Sequence, residues 1–174
     1  MRAYAFLDRD GTLVPERSDE EWRGVRTFDL LPGVAAPLRE WARAGYDLVV
    51  VTNQYLIGEG FLTEDDYANQ TACLLEALDK EGVTLLDVLH CPHPRGSGCA
   101  CHKPGVELIR EAERRHGPMD PGRSFVVGDA LTDMEMAVAT GVPGYLLTAS
   151  LRPVPPGTKA VPTLAAVIED QRCG

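Results

Sequence analysis

The sequence predicts a three-layer α/β fold in which a parallel sheet lies between two layers of helices. Five short apolar runs, each typical of a buried strand, alternate along the chain with helical patterns. Three of these runs end in polar side chains, as strands do where a ligand binds beyond their carboxyl ends. The length of 174 residues, 44% of them hydrophobic and 25% charged, suits one globular domain.

The strands are predicted from continuous apolar runs that are flanked by turn-forming or polar residues. Each run is separated from the next by enough chain for a helix, so we expect neighbouring strands to be parallel. The five predicted strands occupy residues 3–7, 47–52, 84–90, 124–127 and 144–147.

The helices are predicted from apolar residues at three- and four-residue spacing and from signals at their ends. Thr63 is an N-cap candidate, and Pro104 suits the first turn of a helix. Residues 14–29 predict a loop or a small hairpin, and the proline-rich segment 152–159 is expected to cross the surface. The predicted helices occupy residues 34–41, 63–80, 104–116, 132–140 and 163–170.

Two aspartates, Asp8 and Asp10, follow the first predicted strand directly. Carboxylates this close repel each other and resist desolvation, so they would destabilise a hydrophobic core. They suit a site in which a cation lies between them, or in which one carboxylate attacks phosphorus. A plain strand ending in an Asp-Gly turn is the alternative, and this stretch alone does not separate the two interpretations.

Later segments add polar groups to the same edge of the predicted sheet, and the whole set suits phosphoryl transfer. Mg²⁺ prefers oxygen ligands and offsets the repulsion between carboxylates and a phosphate dianion. A simple cap is the alternative for each residue, but convergence of all of them on one edge favours a site. We expect Mg²⁺ to be held by Asp8, Asp129 and the backbone carbonyl of Asp10, with Asp133 orienting the waters of the metal. Asp8 would attack phosphorus, and Asp10 would serve as the acid and base. The phosphate would be held by Thr52, Asn53 and Lys103.

A second cluster of ligand-type residues lies in the loop after the third predicted strand. Cys91, His93, Cys99 and Cys101 fall within eleven residues. Three thiols and one imidazole suit tetrahedral Zn²⁺, and four protein ligands leave no open position, so the zinc would be structural. The alternative is a turn with unligated thiols. Cys73, on a predicted helix, is expected to fill apolar space.

Four motifs occur in this order along the chain: Asp8-x-Asp10-Gly11-Thr12, Thr52-Asn53-Gln54, Lys103-Pro104 and Gly128-Asp129-x-x-Thr132-Asp133. They resemble the motifs of the haloacid dehalogenase superfamily of phosphatases. The resemblance covers residues 3–147 and implies a Rossmann-like sheet with strand order 5-4-1-2-3, Mg²⁺ dependence and an aspartyl-phosphate mechanism. It implies the nucleophile, acid/base, phosphate and metal roles given above for Asp8, Asp10, Thr52, Lys103 and Asp129.

The cysteine loop resembles that of a subgroup, the heptose-1,7-bisphosphate 7-phosphatases and the histidinol-phosphate phosphatases. The short gap between its two halves is similar to the histidinol-phosphate type, whereas residues 60–64 look more like the heptose type. Glu59 stands where the heptose enzymes usually have arginine, and His102 also replaces an arginine. An acidic Glu59 would repel a second phosphate or favour an amine-bearing substrate; a solvated loop glutamate is the alternative.

The remaining expectations concern partners, location and architecture. A net charge of −9 argues against binding along a nucleic-acid backbone, so a polynucleotide 3′-phosphatase is a weaker alternative. We expect a cytoplasmic monomer that acts on a small phosphorylated metabolite, without a membrane span or a signal peptide. Residues 1–174 should form one hydrolase domain without a separate cap. A catalytically dead, zinc-stabilised binding protein is the rival from another class.

Overall fold

The computed structural model describes residues 1–150 and 152–173. Its strands are β1 (Tyr4–Leu7), β2 (Asp47–Asn53), β3 (Asp87–Cys91), β4 (Phe125–Gly128), β5 (Gly144–Leu147) and β6 (Thr158–Val161). They form one sheet in the order β3-β2-β1-β4-β5-β6, and every neighbouring pair is parallel. The α/β class, the parallel sheet and the order predicted for the first five strands are therefore confirmed.

Helices connect the strands and cover both faces of the sheet. They are α1 (Asp19–Trp22), α2 (Ala35–Arg43), α3 (Tyr55–Gly58), α4 (Glu64–Lys80), α5 (Glu107–His116), α6 (Leu131–Thr140) and α7 (Leu164–Cys173). Successive residues of a strand point to opposite faces, and the core accordingly divides into two clusters. Ala5, Leu7 and Val50 belong to one cluster, and Tyr4, Phe6 and Val49 belong to the other.

Three elements differ from the sequence-based prediction. The segment 152–159, expected only to cross the surface, leads into a sixth strand, because residues 158–161 pair in parallel with residues 144–147 at the sheet edge. The helix expected from Pro104 begins at Glu107, because Gly105 N–H donates to His102 O in a preceding turn. The third strand begins at Asp87 instead of residue 84.

The predicted loop 14–29 contains the short helix α1 and no larger insertion. Ser18 caps α1 through its hydroxyl, which accepts from Glu21 N–H, and the Glu21 side chain accepts from Ser18 N–H. Thr63 caps α4 in the same reciprocal way with Asp66, as the sequence predicts. Within the described residues, no helix has both the length and the apolar character needed to cross a bilayer.

Candidate active site

The carboxyl ends of β1, β2 and β4 lie side by side because these strands are parallel neighbours. Lys103 lies at this edge and is 4% exposed. Its Nζ donates to Asp8 Oδ1 at 2.6 Å, to Asp133 Oδ1 at 2.7 Å and to the backbone carbonyl of Val51 at 3.0 Å. Burial alone would lower the pKa of Lys103, but the two carboxylates raise the pKa above its ordinary value. The lysine is therefore a fixed positive charge beside Asp8.

Asp8, Asp129 and Asp133 form a carboxylate cluster whose nearest oxygens lie within 4.8 Å of one another. Burial, followed by repulsion from Asp8 and Asp133, raises the pKa of Asp129 to about 7. A divalent cation among these oxygens would relieve that repulsion, and oxygen ligands are those that Mg²⁺ prefers. The residues at this position therefore fit Mg²⁺.

Two glycines let the backbone approach this cluster closely. A Cβ added at Gly11, where φ is +77°, would lie 2.1 Å from Asp129 Oδ2. A Cβ added at Gly128 would lie 2.1 Å from Asp133 Oδ2. Any larger residue at either position would displace a carboxylate of the cluster.

Asp10 lies beside this cluster and is held by two neighbouring side chains. Arg9 donates from Nε and Nη2 to the two carboxylate oxygens of Asp10, at 2.7 and 3.0 Å. Gln54 Nε2 donates to Asp10 Oδ2 at 2.9 Å and to Thr52 Oγ1 at 2.9 Å. The arginine is 1% exposed, and aromatic rings surround its guanidinium: those of Trp22, Phe28 and Tyr67. Asp10 is thus oriented from outside the carboxylate cluster.

Asn53 makes contacts that fix the lysine segment. Its Oδ1 accepts from Lys103 N–H at 2.8 Å, and its Nδ2 donates to Lys103 O at 3.4 Å. The amide therefore aligns the backbone of Lys103. Asn53 also lines the cavity above the site. Thr52 is 1% exposed and lines the same cavity.

A cavity of about 310 Å³ opens above these groups. Its size suits a small metabolite rather than a macromolecular chain. Four of the side chains around it are carboxylates, and aromatic side chains form part of its wall. The cavity is lined by Asp8, Asp10, Glu16, Trp22, Thr52, Asn53, Gln54, Tyr55, Leu56, Lys103, Asp129, Ala130 and Thr132.

The four predicted zinc ligands also come together, at the end of β3. Cys101 Sγ lies 3.1 Å from Cys91 Sγ, 3.6 Å from Cys99 Sγ and 3.1 Å from His93 Nδ1. Tetrahedral zinc with Zn–S bonds of about 2.3 Å requires sulfur atoms roughly 3.8 Å apart. The donor set therefore fits one Zn²⁺, and the sulfur atoms, 3.1 to 3.6 Å apart, would move outward slightly to bind it.

At the cavity mouth, Glu59 is paired with a cation. Arg95 donates from Nε and Nη2 to Glu59 at 2.9 and 2.7 Å, and from Nη2 to Asp19 at 3.0 Å. The guanidinium carbon of Arg95 also lies 4.2 Å from the ring centre of Tyr55. Glu59 is therefore neither a solvated glutamate nor an uncompensated negative charge.

Comparisons with known proteins agree with this geometry. A family model described as HAD-hydrolase-like matches residues 100–166. The D-glycero-beta-D-manno-heptose-1,7-bisphosphate 7-phosphatase of Rhodopseudomonas palustris is 36% identical over 152 residues, which are 83% of this chain and 82% of that protein. The chain belongs to the haloacid dehalogenase-like phosphatases.

Two further relatives of this phosphatase family are informative. The crystal structure of D,D-heptose 1,7-bisphosphate phosphatase from B. bronchiseptica, complexed with magnesium and phosphate, superposes with a TM-score of 0.84 at 27% identity and covers 99% of both chains. The histidine biosynthesis bifunctional protein HisB of Legionella pneumophila is 32% identical over 82% of this chain and 40% of that protein. The family membership expected from the four motifs is confirmed.

The roles of four residues of this phosphatase site are not apparent from the sequence, although Gln54 stands in one of the four motifs. Arg9 and Gln54 hold Asp10, and Glu16 and Trp22 line the cavity. Arg9 had one usable signal, since an arginine between two aspartates after a buried strand is a natural counter-charge. Trp22 had none, because its placement depends on how the 14–29 segment folds back over the sheet.

Proposed function

We propose that this phosphatase hydrolyses the 7-phosphate ester of D-glycero-D-manno-heptose 1,7-bisphosphate. The single observation that carries the proposal is the carboxylate–lysine site under a cavity of metabolite size, in a chain whose named relatives include heptose bisphosphate 7-phosphatases. The pairing of Glu59 with Arg95 supports the proposal further, because it removes the uncompensated charge that would repel a second phosphate.

The proposed chemistry proceeds in two displacements at phosphorus. Lys103 occupies Oδ1 of Asp8, which leaves Oδ2 as the attacking atom. As Asp8 forms its bond to phosphorus, the bond between phosphorus and the sugar oxygen breaks, and Asp10 gives a proton to that oxygen. Asp10 then takes a proton from a water that attacks the aspartyl phosphate, which releases inorganic phosphate and restores Asp8.

Several side chains bind and orient in this proposal. Thr52 holds phosphoryl oxygens, and Lys103 stabilises them as a nearby positive charge. Asn53 keeps the lysine segment aligned, and Arg9 with Gln54 orients Asp10. Mg²⁺ would be held by Asp8, Asp129 and the backbone carbonyl of Asp10, with Asp133 beside them. When bound, it supplies positive charge that offsets the repulsion between the carboxylates and the phosphate.

Zinc would be held by Cys91, His93, Cys99 and Cys101 and would have a structural role. Only His102 separates the proposed zinc ligand Cys101 from Lys103. A zinc ion bound by four side chains would therefore fix the loop that carries Lys103. We further propose that the enzyme works in the cytoplasm.

A substrate comparison tests the proposal. Purified enzyme with Mg²⁺ is assayed against heptose 1,7-bisphosphate, histidinol phosphate, a 3′-phosphorylated oligonucleotide and an aryl phosphate. We expect the highest kcat/KM for the heptose bisphosphate, with release of the 7-phosphate. A higher kcat/KM for histidinol phosphate, which the short zinc loop and the HisB relative favour, would replace the substrate but keep the chemistry. No turnover of any phosphate ester would contradict an active phosphatase.

A further inference from the structure

Four residues beside the cavity interact with one another: Asp19, Tyr55, Glu59 and Arg95. They come from three separate segments, namely α1, α3 with its following turn, and the zinc loop. Arg95 donates hydrogen bonds to Glu59 and Asp19, and the Tyr55 hydroxyl donates one to Asp19 at 3.0 Å. One guanidinium therefore joins three segments beside Tyr55, a residue that lines the cavity.

The zinc loop is pressed closely against the second of these segments. A Cβ added at Gly58 would lie 2.5 Å from Pro94 Cδ, so only glycine lets the two backbones approach this far. The backbone N–H of Arg95 also donates to Glu59, at 3.2 Å. Arg95 is thus fixed at its backbone as well as at its side chain.

The contacts of Arg95 occupy one edge of its guanidinium. Nε and Nη2 make all of its side-chain hydrogen bonds within residues 1–150 and 152–173, and Nη1 makes none there. An arginine that is bidentate to one carboxylate and stacked on a ring is already ordered, so it loses little further entropy when it binds a ligand. The remaining edge of Arg95 is available for a second anion.

The described residues that line the cavity offer no free cation for such an anion. Among the residues that line it, Lys103 carries the positive charge. The three N–H groups of this buried lysine are all taken, by Asp8, Asp133 and the Val51 carbonyl, whereas Arg95 keeps Nη1 free of hydrogen bonds within the described residues. Carboxylates at positions 8, 10, 16 and 129 make the lining strongly negative.

A substrate with a second phosphate needs a positive group beside the lining. Arg95 stands over Tyr55, a lining residue, and Glu59 holds it there. Arg17, 5.8 Å from the ring centre of Trp22, and Arg152, which donates to the Asp129 carbonyl, have no such carboxylate partner within the described residues.

We infer that Arg95 determines substrate specificity by binding the distal phosphate of a sugar bisphosphate through Nη1, while Glu59 and Asp19 hold its guanidinium over Tyr55. The inference rests on the proposed function for the identity of the sugar, because it assumes that the substrate carries a second phosphate. It also explains how a chain with glutamate at position 59 accommodates a bisphosphate, since that glutamate holds the cation instead of facing the anion.

The experiment compares each bisphosphate with its own monophosphate in the full-length enzyme with metals bound. The ratio of kcat/KM values is measured for heptose 1,7-bisphosphate against heptose 7-phosphate and for fructose 1,6-bisphosphate against fructose 6-phosphate. The variant is Arg95→Gln. The matched control is Arg23→Gln, which removes an exposed arginine whose side chain stacks on Phe61 and donates to the Phe61 carbonyl.

We expect the wild-type enzyme to prefer the bisphosphate, and Arg95→Gln to lower the preference about 10- to 100-fold, the usual worth of a hydrogen bond to a charged group. The loss should appear mainly in KM, with the monophosphate rates and the Arg23→Gln variant little changed. A wild-type ratio near one, or a ratio that Arg95→Gln leaves unchanged, would overturn the inference. Failure to turn over either heptose phosphate would instead count against the proposed function, and the fructose pair would still test Arg95.

Discussion

The Nζ atom of Lys103 lies 2.6 Å from Oδ1 of Asp8, at a point where both side chains are almost wholly shielded from solvent. A second carboxylate, that of Asp133, lies 2.7 Å from the same nitrogen. Removal of one partner from a buried ion pair leaves the remaining charges uncompensated, which is far more costly than loss of a surface pair.

Lys103→Met should therefore destabilise the fold and reduce activity together. We expect the free energy of unfolding to fall by about 3 kcal/mol, because Asp8 and Asp133 remain buried without their cation. We also expect kcat to fall by about 100-fold or more. Chemical denaturation and steady-state kinetics give the two values. Lys80→Met, which removes an exposed lysine paired with Glu76, is the control, and an equal loss of stability there would contradict the account.

Gly11→Ala tests the close approach of the backbone to Asp129. The added Cβ would displace the Asp129 carboxylate, and displacements of about 1 Å in an active site cost roughly 100-fold in rate. Gly33→Ala is a matched control, because φ there is +79° and nothing lies within 4 Å of the added atom. Both variants carry backbone strain of about 1 kcal/mol. Only Gly11→Ala should lose activity and require more Mg²⁺, and similar activity in both variants would contradict the close approach.

Cys101→Ser tests the zinc site. Its thiol contacts the other three ligands, so its loss should weaken zinc binding by more than the ~10–100-fold that removal of an outer-shell partner costs. Cys73→Ser is the control, since that thiol instead donates to Arg26 O. Metal analysis and the melting temperature are the measurements. Wild-type protein with far less than one zinc per chain, or equal zinc content in both variants, would count against the four-ligand site.

Asp87→Asn tests an ion pair at the start of β3 through its pH dependence. Burial alone would raise the pKa of Asp87, but hydrogen bonds from His116, Val88 N–H and Arg115 lower it below the ordinary value. A carboxyl with a lowered folded-state pKa stabilises the fold above its unfolded-state pKa of about 3.9, and this contribution is lost as the pH falls through the folded-state pKa.

We therefore expect Asp87→Asn to be less stable than wild type at pH 7 and to approach wild-type stability at strongly acidic pH. Denaturant melts at several pH values measure the difference. Asp29→Asn is the control, because that side chain makes no hydrogen bond or ion pair within the described part of the chain. A difference between Asp87→Asn and wild type that stays constant across the pH range would disprove the assignment.

The positions of the strands and of the principal polar residues could be predicted because they depend on local pattern. Polar residues such as Asp8 and Thr52 after a buried apolar run indicate where the carboxyl end of the strand lies. Parallel pairing then places such ends together. The sixth strand could not be found this way. Residues 158–161 are half polar, and their strand character comes from pairing with β5 at the edge of the sheet.

The contacts around the cavity mouth depend on how separate loops meet, and the sequence carries little information about that. The pairing of Glu59 with Arg95 joins residues 36 positions apart through two irregular segments. Similarly, Arg9 is enclosed by rings from two different segments, residues 14–29 and helix α4, which no local periodicity connects. Side-chain partners of this kind follow from the tertiary structure.

If Asp8 is the nucleophile, the enzyme carries a covalent phosphoryl group during turnover, and acid-quenched mass spectrometry can detect that group and locate it. Enzyme that is mixed with substrate and Mg²⁺ and then quenched should carry one phosphoryl group on Asp8, whereas Asp8→Asn should keep its fold and lose turnover. Phosphorylation at another residue, or a wild-type rate in Asp8→Asn, would contradict the account.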